Sequence, residues 1–384
     1  MGSKSGSTFG ECAARCRSAA MRIQQGGLDA LIIWSRGGGS LDRFGRLTYL
    51  TNYYPDFPTI PDVNGRWRAR GYAAGLLLPD ASIVLFGDLP SDDPDVYASD
   101  VISVVDIIAA VVDRLIALGL RSAKIGIAGT DTMPLDHYQA LASALPHARF
   151  DSSSSIVDDL MMVKSPAELL LMRAAGLVGA RAMVAMMEGA EPGCTVSRIA
   201  SLGVASAVEE GARIANIFAQ ASCESPEHTR DKSEKLGSGD LLSIDISGAV
   251  NGYFFDFSRS RVVGQAPSTR QLQLMHVTRD AVAAIIEGLV PGRTIGDATQ
   301  SGLAVLSSNG HDSDQVGFDA LGHGLGLGFE RPWLVPGNQT LIVPGMCIAV
   351  ERGAIDGSLY ASHENDVIVN DRGPEIITAA PWYG

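Results

Sequence analysis

The feature that most constrains this chain is a pair of aspartates set into two apolar runs around Asn251-Gly252. This dipeptide accepts the positive φ angles of a tight hairpin turn. With that turn, Ser247 lies opposite Asp256, and strand alternation places Asp245 and Asp256 on one face as diagonal neighbours. Because an unpaired buried charge is costly, we expect a cation between these two carboxylates.

A second hairpin near the C-terminus repeats this arrangement. Glu351 ends one apolar run, Asp356-Gly357 supplies the turn, and Glu364 opens the return strand. Pairing across this turn sets Glu351 opposite Ser362 and makes Glu351 and Glu364 diagonal neighbours. The chain therefore carries two hairpins with two carboxylates each.

Between the hairpins, glycines on both sides of His323 let the backbone crowd around one imidazole. Four carboxylates and one histidine suit two divalent cations. The oxygen-rich set favours Mn, Fe or Co over a thiolate-type zinc site. We predict a site for two divalent metal ions, with Mn first and Fe, Co or Zn as alternatives.

Length and composition limit the function further. At 384 residues, with 46% hydrophobic and 19% charged residues, the chain predicts a globular protein of two domains. The net charge of −13 argues against a nucleic-acid partner, which requires a basic face. No continuous apolar run of about 18 residues occurs, so no membrane partner is expected. Five cysteines without metal-type spacing, and an N-terminus without a signal-peptide core, predict a cytoplasmic protein.

The order of segments predicts two different halves. Strand-like and helix-like runs alternate through the first 150 or so residues, which favours an α/β domain. Helical periodicity predicts a helix over residues 9–25, and the aromatic-rich residues 47–54 favour a strand. A serine-rich run at residues 151–155 marks a break in composition, and we place the domain boundary there.

An internal repeat organises the second half. The pattern of residues 188–195 recurs at residues 287–294, an offset of 99 residues (287 − 188). A helix is predicted after each copy, and each helix leads towards a carboxylate-bearing hairpin. The repeat therefore predicts two helix–helix–hairpin halves related by a pseudo-two-fold axis, with the hairpins face to face.

These motifs resemble one known superfamily over nearly the whole chain. The residues from about 156 onward resemble the pita-bread metallohydrolases, and the upstream motifs are similar to the aminopeptidase P, prolidase and creatinase branch. The motifs are Asp245 with Asp256, Gly322-His323-Gly324 with Gly326, Pro344-Gly345-Met346 before Glu351, Glu364-Asn365, residues 27–33 and Lys164-Ser165-Pro166. The resemblance implies a two-domain α/β (α+β) protein, with a creatinase-like N-terminal domain over residues 1–155 and a pita-bread catalytic domain over residues 156–384.

The resemblance also implies a role for each ligand. Asp245 would chelate one metal ion, Asp256 and Glu364 would bridge both, and His323 and Glu351 would bind the other. The implied function is that of a dinuclear-metal hydrolase resembling Xaa-Pro aminopeptidase or prolidase, in which a metal-bound hydroxide attacks an amide bond. The implied substrate is a short peptide or another small molecule.

Two further positions are candidate catalytic residues. His228 matches the spacing of the family's outer histidine and would hold the substrate or its developing charge; a solvated loop histidine is the alternative. Glu330 stands where the peptidases carry a second histidine, and Ser362 stands where they commonly carry an arginine. Glu330 either meets a positively charged substrate or pairs with an arginine and faces away.

These departures leave other functions open. One is a creatinase-like C–N hydrolase, or a C–S lyase, acting on a small cationic metabolite such as a sulfonium propionate. Another is a non-catalytic pita-bread binding module, as in some histone chaperones, although the filled ligand set weighs against it.

A long loop at residues 55–70 carries a cluster of arginines around a tryptophan: Arg66, Trp67, Arg68 and Arg70. Loops of this length are usually functional or disordered. The resemblance implies a homodimer in which this loop approaches the neighbouring subunit's site, and a solvated loop is the alternative.

Overall fold

The N-terminal part of the chain folds around one mixed sheet. The structure is a computed structural model that describes residues 8–36, 45–54, 71–87, 94–224, 235–311 and 319–384. The first unit, Met1–Met161, contains α1 (Phe9–Gln25), β1 (Ala30–Arg36), α2 (Gly45–Thr51), β2 (Tyr72–Leu77), β3 (Ile83–Gly87), β4 (Asp100–Ser103), α3 (Ile107–Ala117), β5 (Lys124–Ala128), α4 (Leu135–Ala144), β6 (Arg149–Ser152) and α5 (Ser155–Met161). Within these described ranges the sheet order is β4-β3-β2-β1-β5-β6, with β1 parallel to β5 and antiparallel to β2.

The helix predicted over residues 9–25 is confirmed as α1. Thr8 caps it by accepting a hydrogen bond from the Glu11 backbone, and Glu11 reaches back to the Thr8 N–H at 2.9 Å. This reciprocal pair satisfies backbone donors that the first turn leaves free.

The strand predicted over residues 47–54 is wrong, because this segment forms α2. Leu47 and Thr51 lie one turn apart, and Thr51 Oγ1 donates to the Leu47 carbonyl at 2.7 Å. The Arg15 guanidinium of α1 donates to the Tyr49 carbonyl at 3.0 Å and lies 4.2 Å from the Tyr49 ring centroid. Packing on α1 therefore overrides the strand preference of the aromatic and β-branched residues.

The division between the units falls after Met161, six residues beyond the predicted boundary. The helix α5 stays with the first unit because its side chains and carbonyls bind there. Arg46 forms two hydrogen bonds to the Asp158 carboxylate, at 2.6 and 3.1 Å. The Tyr49 hydroxyl donates to the Leu160 carbonyl at 3.1 Å.

The second unit, Met162–Gly384, combines two sheets with long helices. Its elements are α6 (Pro166–Glu188), α7 (Val196–Glu209), β7 (Arg213–Ser222), β8 (Leu241–Val250), β9 (Tyr253–Val262), α8 (Thr269–Gly288), α9 (Ile295–Ser308), β10 (Gly322–Leu325), β11 (Phe329–Trp333), β12 (Cys347–Asp356), β13 (Leu359–Asn370) and β14 (Gly373–Ile376). Over the part of the chain that the structure describes, the two sheets have the orders β7-β8-β9 and β11-β10-β12-β13-β14. The strands β9 and β13 pack together, so the two hairpins meet.

The predicted internal repeat is present in the backbone. The helices α7 and α9 begin at Val196 and Ile295, which are 99 residues apart. Thr195 and Thr294 cap these helices in the same way, each accepting a hydrogen bond from the backbone N–H three residues ahead, at 3.2 and 3.1 Å. Each half therefore reads helix, helix, hairpin, as the repeat predicts.

The helix α6 is long and apolar enough to cross a membrane, with a mean hydropathy of 1.6 over its most apolar 18 residues. Half of that window is buried inside the unit, where α6 packs against α7, β8 and β9. Gly179 lies against the Phe255 ring of β9, where a larger side chain would collide with it. The apolar character of α6 is accounted for by this packing.

Candidate metal centre

The hairpin β8–β9 has the register that the sequence predicts. Asp256 pairs with Ser247, and Asp245 pairs with Ser258. The turn residue Asn251 has a φ of 51°, in the left-handed region that the Asn-Gly signal predicts. Asp245 and Asp256 therefore lie on one face, as diagonal neighbours.

The hairpin β12–β13 is shifted by two residues from the prediction, which is wrong here. Glu351 pairs directly with Glu364, and the turn is Gly357-Ser358. Gly357 has a φ of 59° and so occupies the first central position of a two-residue loop, where glycine is favoured. The two glutamates therefore face each other across the ladder, which brings their carboxylates closer than a diagonal pairing would.

His323 lies on β10, between the two hairpins. A Cβ on Gly322 would collide with the Ala349 carbonyl oxygen, and one on Gly324 would collide with Arg331, so the predicted crowding is present. The His323 Nδ1–H donates to the Gly324 carbonyl at 3.0 Å, which leaves the Nε2 lone pair free. This Nε2 lies 3.4 Å from Asp256 Oδ2.

Three of the predicted ligands form one tight cluster. Donor atoms of Asp256, His323 and Glu364 all lie within 4.8 Å of one another, and all three residues are buried. Asp245 and Glu351 border this cluster, because the charges of both act on the Glu364 carboxyl. The five predicted metal ligands therefore lie in one region of the second unit, with three of them in direct proximity.

The carboxyl groups of this cluster are buried close to one another, and both burial and mutual repulsion oppose their negative charge. Burial raises the pKa of all four, Asp245, Asp256, Glu351 and Glu364, and their mutual repulsion raises it further for Asp245, Glu351 and Glu364. Glu364 Oε1 is buried without a hydrogen-bond partner among the described residues. Buried acceptors of this kind are normally satisfied, and a bound cation would satisfy this one and offset the negative charge.

Asp366 supports the centre, and sequence reasoning missed it. Its Oδ2 accepts a hydrogen bond from the Asp256 backbone N–H at 2.9 Å, and Thr378 Oγ1 accepts one from the Asp366 N–H at 2.8 Å. Asp366 follows Glu364 by two residues and so lies on the same face of β13. That two-residue spacing is the only sequence signal that could have pointed to Asp366.

Arg259 supports the centre from behind and was also missed. Only 3% of the residue is exposed, and its guanidinium donates to the Glu364 carbonyl at 2.6 Å and to Asn365 Oδ1 at 2.9 Å. It also donates to the carbonyls of Thr378 and Ala380, at 3.3 and 3.1 Å. Burial lowers its pKa to about 10, so it remains charged at neutral pH. Arg259 thereby ties the backbone of Glu364 to the C-terminal segment.

A small cavity of about 40 Å³ opens beside Asp245 and Glu351. Ser258, Ser362 and Tyr360 supply hydroxyl groups to its wall. Burial raises the pKa of Tyr360 to about 12, so this hydroxyl keeps its proton. Position 362, where the peptidases commonly carry an arginine, therefore faces the space next to the carboxylates with a small side chain.

The two predicted catalytic residues have different outcomes. His228 lies outside the described residues, as do Arg66, Trp67, Arg68 and Arg70. Glu330 lies within the described residues, its side chain is 8% exposed, and its Oε2 lies 2.7 Å from Lys164 Nζ. The partner is thus a lysine rather than an arginine.

Comparison with known proteins decides the family. The sequence profile of metallopeptidase family M24 matches residues 170–371, just over half of the chain. The chain belongs to metallopeptidase family M24. As a family member it is a metal-dependent hydrolase that resembles prolidase.

Individual M24 relatives agree with this assignment. The chain is 29% identical over 272 residues to a probable dipeptidase PepE of Mycobacterium tuberculosis. The aligned region covers 70% of this chain and 72% of the relative. It is 27% identical over 230 residues to an Xaa-Pro dipeptidase of Lactobacillus helveticus, covering 58% and 61% of the two chains.

Solved M24 structures confirm the fold class that the sequence predicts, a two-domain α/β protein. The dipeptidase PepE from Mycobacterium ulcerans matches with a TM-score of 0.78 at 26% identity, over 98% of this chain and 97% of that one. The prolidase from Pyrococcus horikoshii OT3 matches with a TM-score of 0.79 at 17% identity, over 96% and 99%.

Metallopeptidases of family M24 use divalent metal ions, and the residues of this chain fit such an ion. The donor set is one imidazole nitrogen and several carboxylate oxygens, which suits a borderline or hard divalent cation. Positive charge would also relieve the repulsion among the buried carboxylates and satisfy the free Glu364 oxygen.

Proposed function

We propose that this chain cleaves an amide bond in a short peptide of the Xaa-Pro class with two divalent metal ions. The proposed ligands are Asp245, Asp256, His323, Glu351 and Glu364. The observation that carries the proposal is the convergence of these five side chains, three of them with donor atoms within 4.8 Å of one another. Divalent ions in such a site polarise an amide carbonyl and lower the pKa of a water molecule.

The surrounding residues prepare this ligand set. The hydrogen bond from His323 Nδ1 to Gly324 fixes the tautomer, so that Nε2 points its lone pair at the cluster. Asp366 holds the backbone of Asp256, and Arg259 holds the backbone of Glu364. Such outer contacts hold the ligands in place before the metal arrives, which lowers the cost of binding it.

For the metal we propose two ions per chain, with Mn first and Fe, Co or Zn as alternatives. No cysteine belongs to the proposed set, and oxygen donors outnumber the single nitrogen, which favours Mn over a thiolate-type zinc site. We also propose, from the resemblance described above, that the first unit is a creatinase-like N-terminal domain and the second a pita-bread catalytic domain.

A peptide substrate is favoured over a small cationic metabolite. The cationic alternative depends on the negative charge of Glu330, and Lys164 neutralises that charge within the described residues. The similar proteins also bear peptidase names, a probable dipeptidase PepE and an Xaa-Pro dipeptidase among them.

The proposed substrate is tested by a screen of Xaa-Pro and non-proline dipeptides, in parallel with creatine and a sulfonium propionate. Each substrate is offered to protein loaded with Mn, Co, Fe or Zn. We expect hydrolysis of Xaa-Pro dipeptides, fastest with Mn. Turnover of the cationic compounds alone would replace the peptide assignment, and metal uptake without any turnover would favour the binding module.

We further propose a homodimer in the cytoplasm. The dimer follows from the likeness to two-domain relatives, and a monomer with full activity in light scattering at micromolar concentration would remove it. The cytoplasmic assignment is supported by the five cysteines, all within the described residues and all free thiols.

A further inference from the structure

A buried ion pair lies next to the candidate metal centre without belonging to its donor set. The side chains of Lys164 and Glu330 are 2% and 8% exposed, and Nζ lies 2.7 Å from Oε2. Burial alone would lower the pKa of Lys164, but Glu330 together with the negative groups Cys347 and Glu168 raises it overall, while burial raises the pKa of Glu330. The lysine therefore stays charged, and the glutamate charge is matched inside the protein.

The other oxygen of Glu330 holds a turn. Oε1 accepts a hydrogen bond from the Leu327 backbone N–H at 2.8 Å. Gly326 lies so close to this carboxylate that an added Cβ would collide with it. On its other side the same turn is fixed by β9, because the Phe254 N–H donates to the Gly326 carbonyl at 2.8 Å.

This turn connects the strands of two proposed ligands. Phe254 precedes Asp256 by two residues on β9, and His323 lies three residues before Gly326. The Phe329 ring, next to Glu330, lies 4.6 Å from the His323 ring and 5.9 Å from the Phe254 ring, centroid to centroid. The turn therefore packs against the strands of both Asp256 and His323.

The lysine is anchored to a third ligand strand. The Lys164 N–H donates to the Gly345 carbonyl at 2.9 Å, and Val163 forms a bridge with Met346. Gly345 lies two residues before β12, which carries Glu351. The ion pair thus links the start of β12 to the turn between β10 and β11.

We propose that Lys164 and Glu330 are positioning residues, which fix the turn at residues 326–328 and thereby hold His323 and Asp256 at the separation that the metal ions require. The inference rests on the proposed function, since it concerns affinity for those ions. It assigns Glu330 an indirect role, whereas the sequence left two alternatives: contact with a positively charged substrate, or pairing with an arginine.

The test compares Mn affinity, measured by isothermal titration calorimetry, with the melting temperature of the metal-free protein. Glu330→Gln leaves a buried lysine unpaired, so we expect a lower melting temperature. Because a lost outer contact typically weakens metal binding by about 10- to 100-fold, we expect the Mn dissociation constant to rise by at least about tenfold. The KM of the Mn-saturated variant for an Xaa-Pro dipeptide should stay within about twofold, since Glu330 does not contact the substrate.

The double variant Lys164→Met/Glu330→Met separates positioning from mere stability. Removing both charges together restores stability, since apolar pairs replace buried ion pairs at little cost. The Leu327 N–H still lacks its acceptor, so we expect Mn affinity to remain weak although the melting temperature recovers. This variant also carries the test if Glu330→Gln does not fold.

A matched control is the ion pair between Arg173 and Glu375 of the same unit, joined by two hydrogen bonds of 2.7 Å. Glu375→Gln should leave Mn affinity unchanged. Unaltered Mn affinity in the double variant would overturn the inference, as would a raised KM with unaltered Mn affinity in Glu330→Gln. Failure of the unaltered protein to bind Mn would instead overturn the proposed function.

Discussion

At the scale of single residues, the candidate centre is a cluster of buried carboxylates that is costly without a cation. Glu364 keeps a buried oxygen without a hydrogen-bond partner among the described residues, and burial raises the pKa of Asp256 and its neighbours. These residues therefore lower the stability of the metal-free protein and at the same time provide its affinity for metal.

Replacement of Asp256 by asparagine tests this opposition between stability and metal affinity. Asp256→Asn keeps the shape of the side chain but removes one negative charge from the cluster. Since outer-contact substitutions alone cost about 10- to 100-fold in metal affinity, loss of this ligand should weaken Mn binding by about 100-fold or more. The melting temperature of the metal-free variant should equal or exceed that of the unaltered protein. Glu287→Gln, which removes an exposed carboxylate from α8, is the control and should change neither value; a stable metal-free Asp256→Asn that still binds Mn tightly would contradict the account.

At the scale of elements, the residues in each turn determined whether the sequence predicted the register of that hairpin correctly. The Asn251-Gly252 turn fixes one register, and the structure has the predicted pairing of Asp256. Around Gly357 two loops of equal length are compatible with the sequence, Asp-Gly and Gly-Ser, and the structure uses the second. The α2 segment was predicted as strand because its packing on α1 is a tertiary contact that local preferences do not contain.

Two glycines at equivalent positions of the internal repeat have different surroundings. Gly203 of α7 and Gly302 of α9 are 99 residues apart and lie where each helix crosses its partner. A Cβ at Gly203 meets Met186, whose side chain adapts, whereas one at Gly302 meets the branched Ile285 and lies 3.0 Å from the Ala281 carbonyl oxygen.

We therefore expect unequal costs in urea unfolding of the metal-free protein. Gly302→Ala should lower the free energy of unfolding by about 1–3 kcal/mol, because the core is overpacked. Gly203→Ala should change it by less than about 1 kcal/mol, since better helix propensity offsets the strain. Equal losses in the two variants would show that the helix crossings do not differ as described.

At the scale of the whole molecule, the sequence predicted the fold class because repeat, turn and ligand signals agreed. Asp366 and Arg259 were not predicted, since their roles depend on hydrogen bonds to backbone atoms of Asp256 and Glu364. The sequence shows only the two-residue spacing between Glu364 and Asp366, and Arg259 leaves no motif.

The two units should respond differently to metal. A ligand present at about 100 times its dissociation constant stabilises the native state by about 2.7 kcal/mol. All proposed ligands belong to the second unit, so Mn should slow hydrogen exchange in β8, β9, β12 and β13 and leave β1, β2 and β3 unchanged. Mass spectrometry of peptides from both units measures the exchange rates. Equal slowing in both units would contradict stabilisation of the second unit alone.

The most direct test of the central claim is anomalous diffraction from crystals grown with Mn. We expect two anomalous peaks per chain, enclosed by Asp245, Asp256, His323, Glu351 and Glu364. A map with strong protein density and no peak among these five side chains would contradict it.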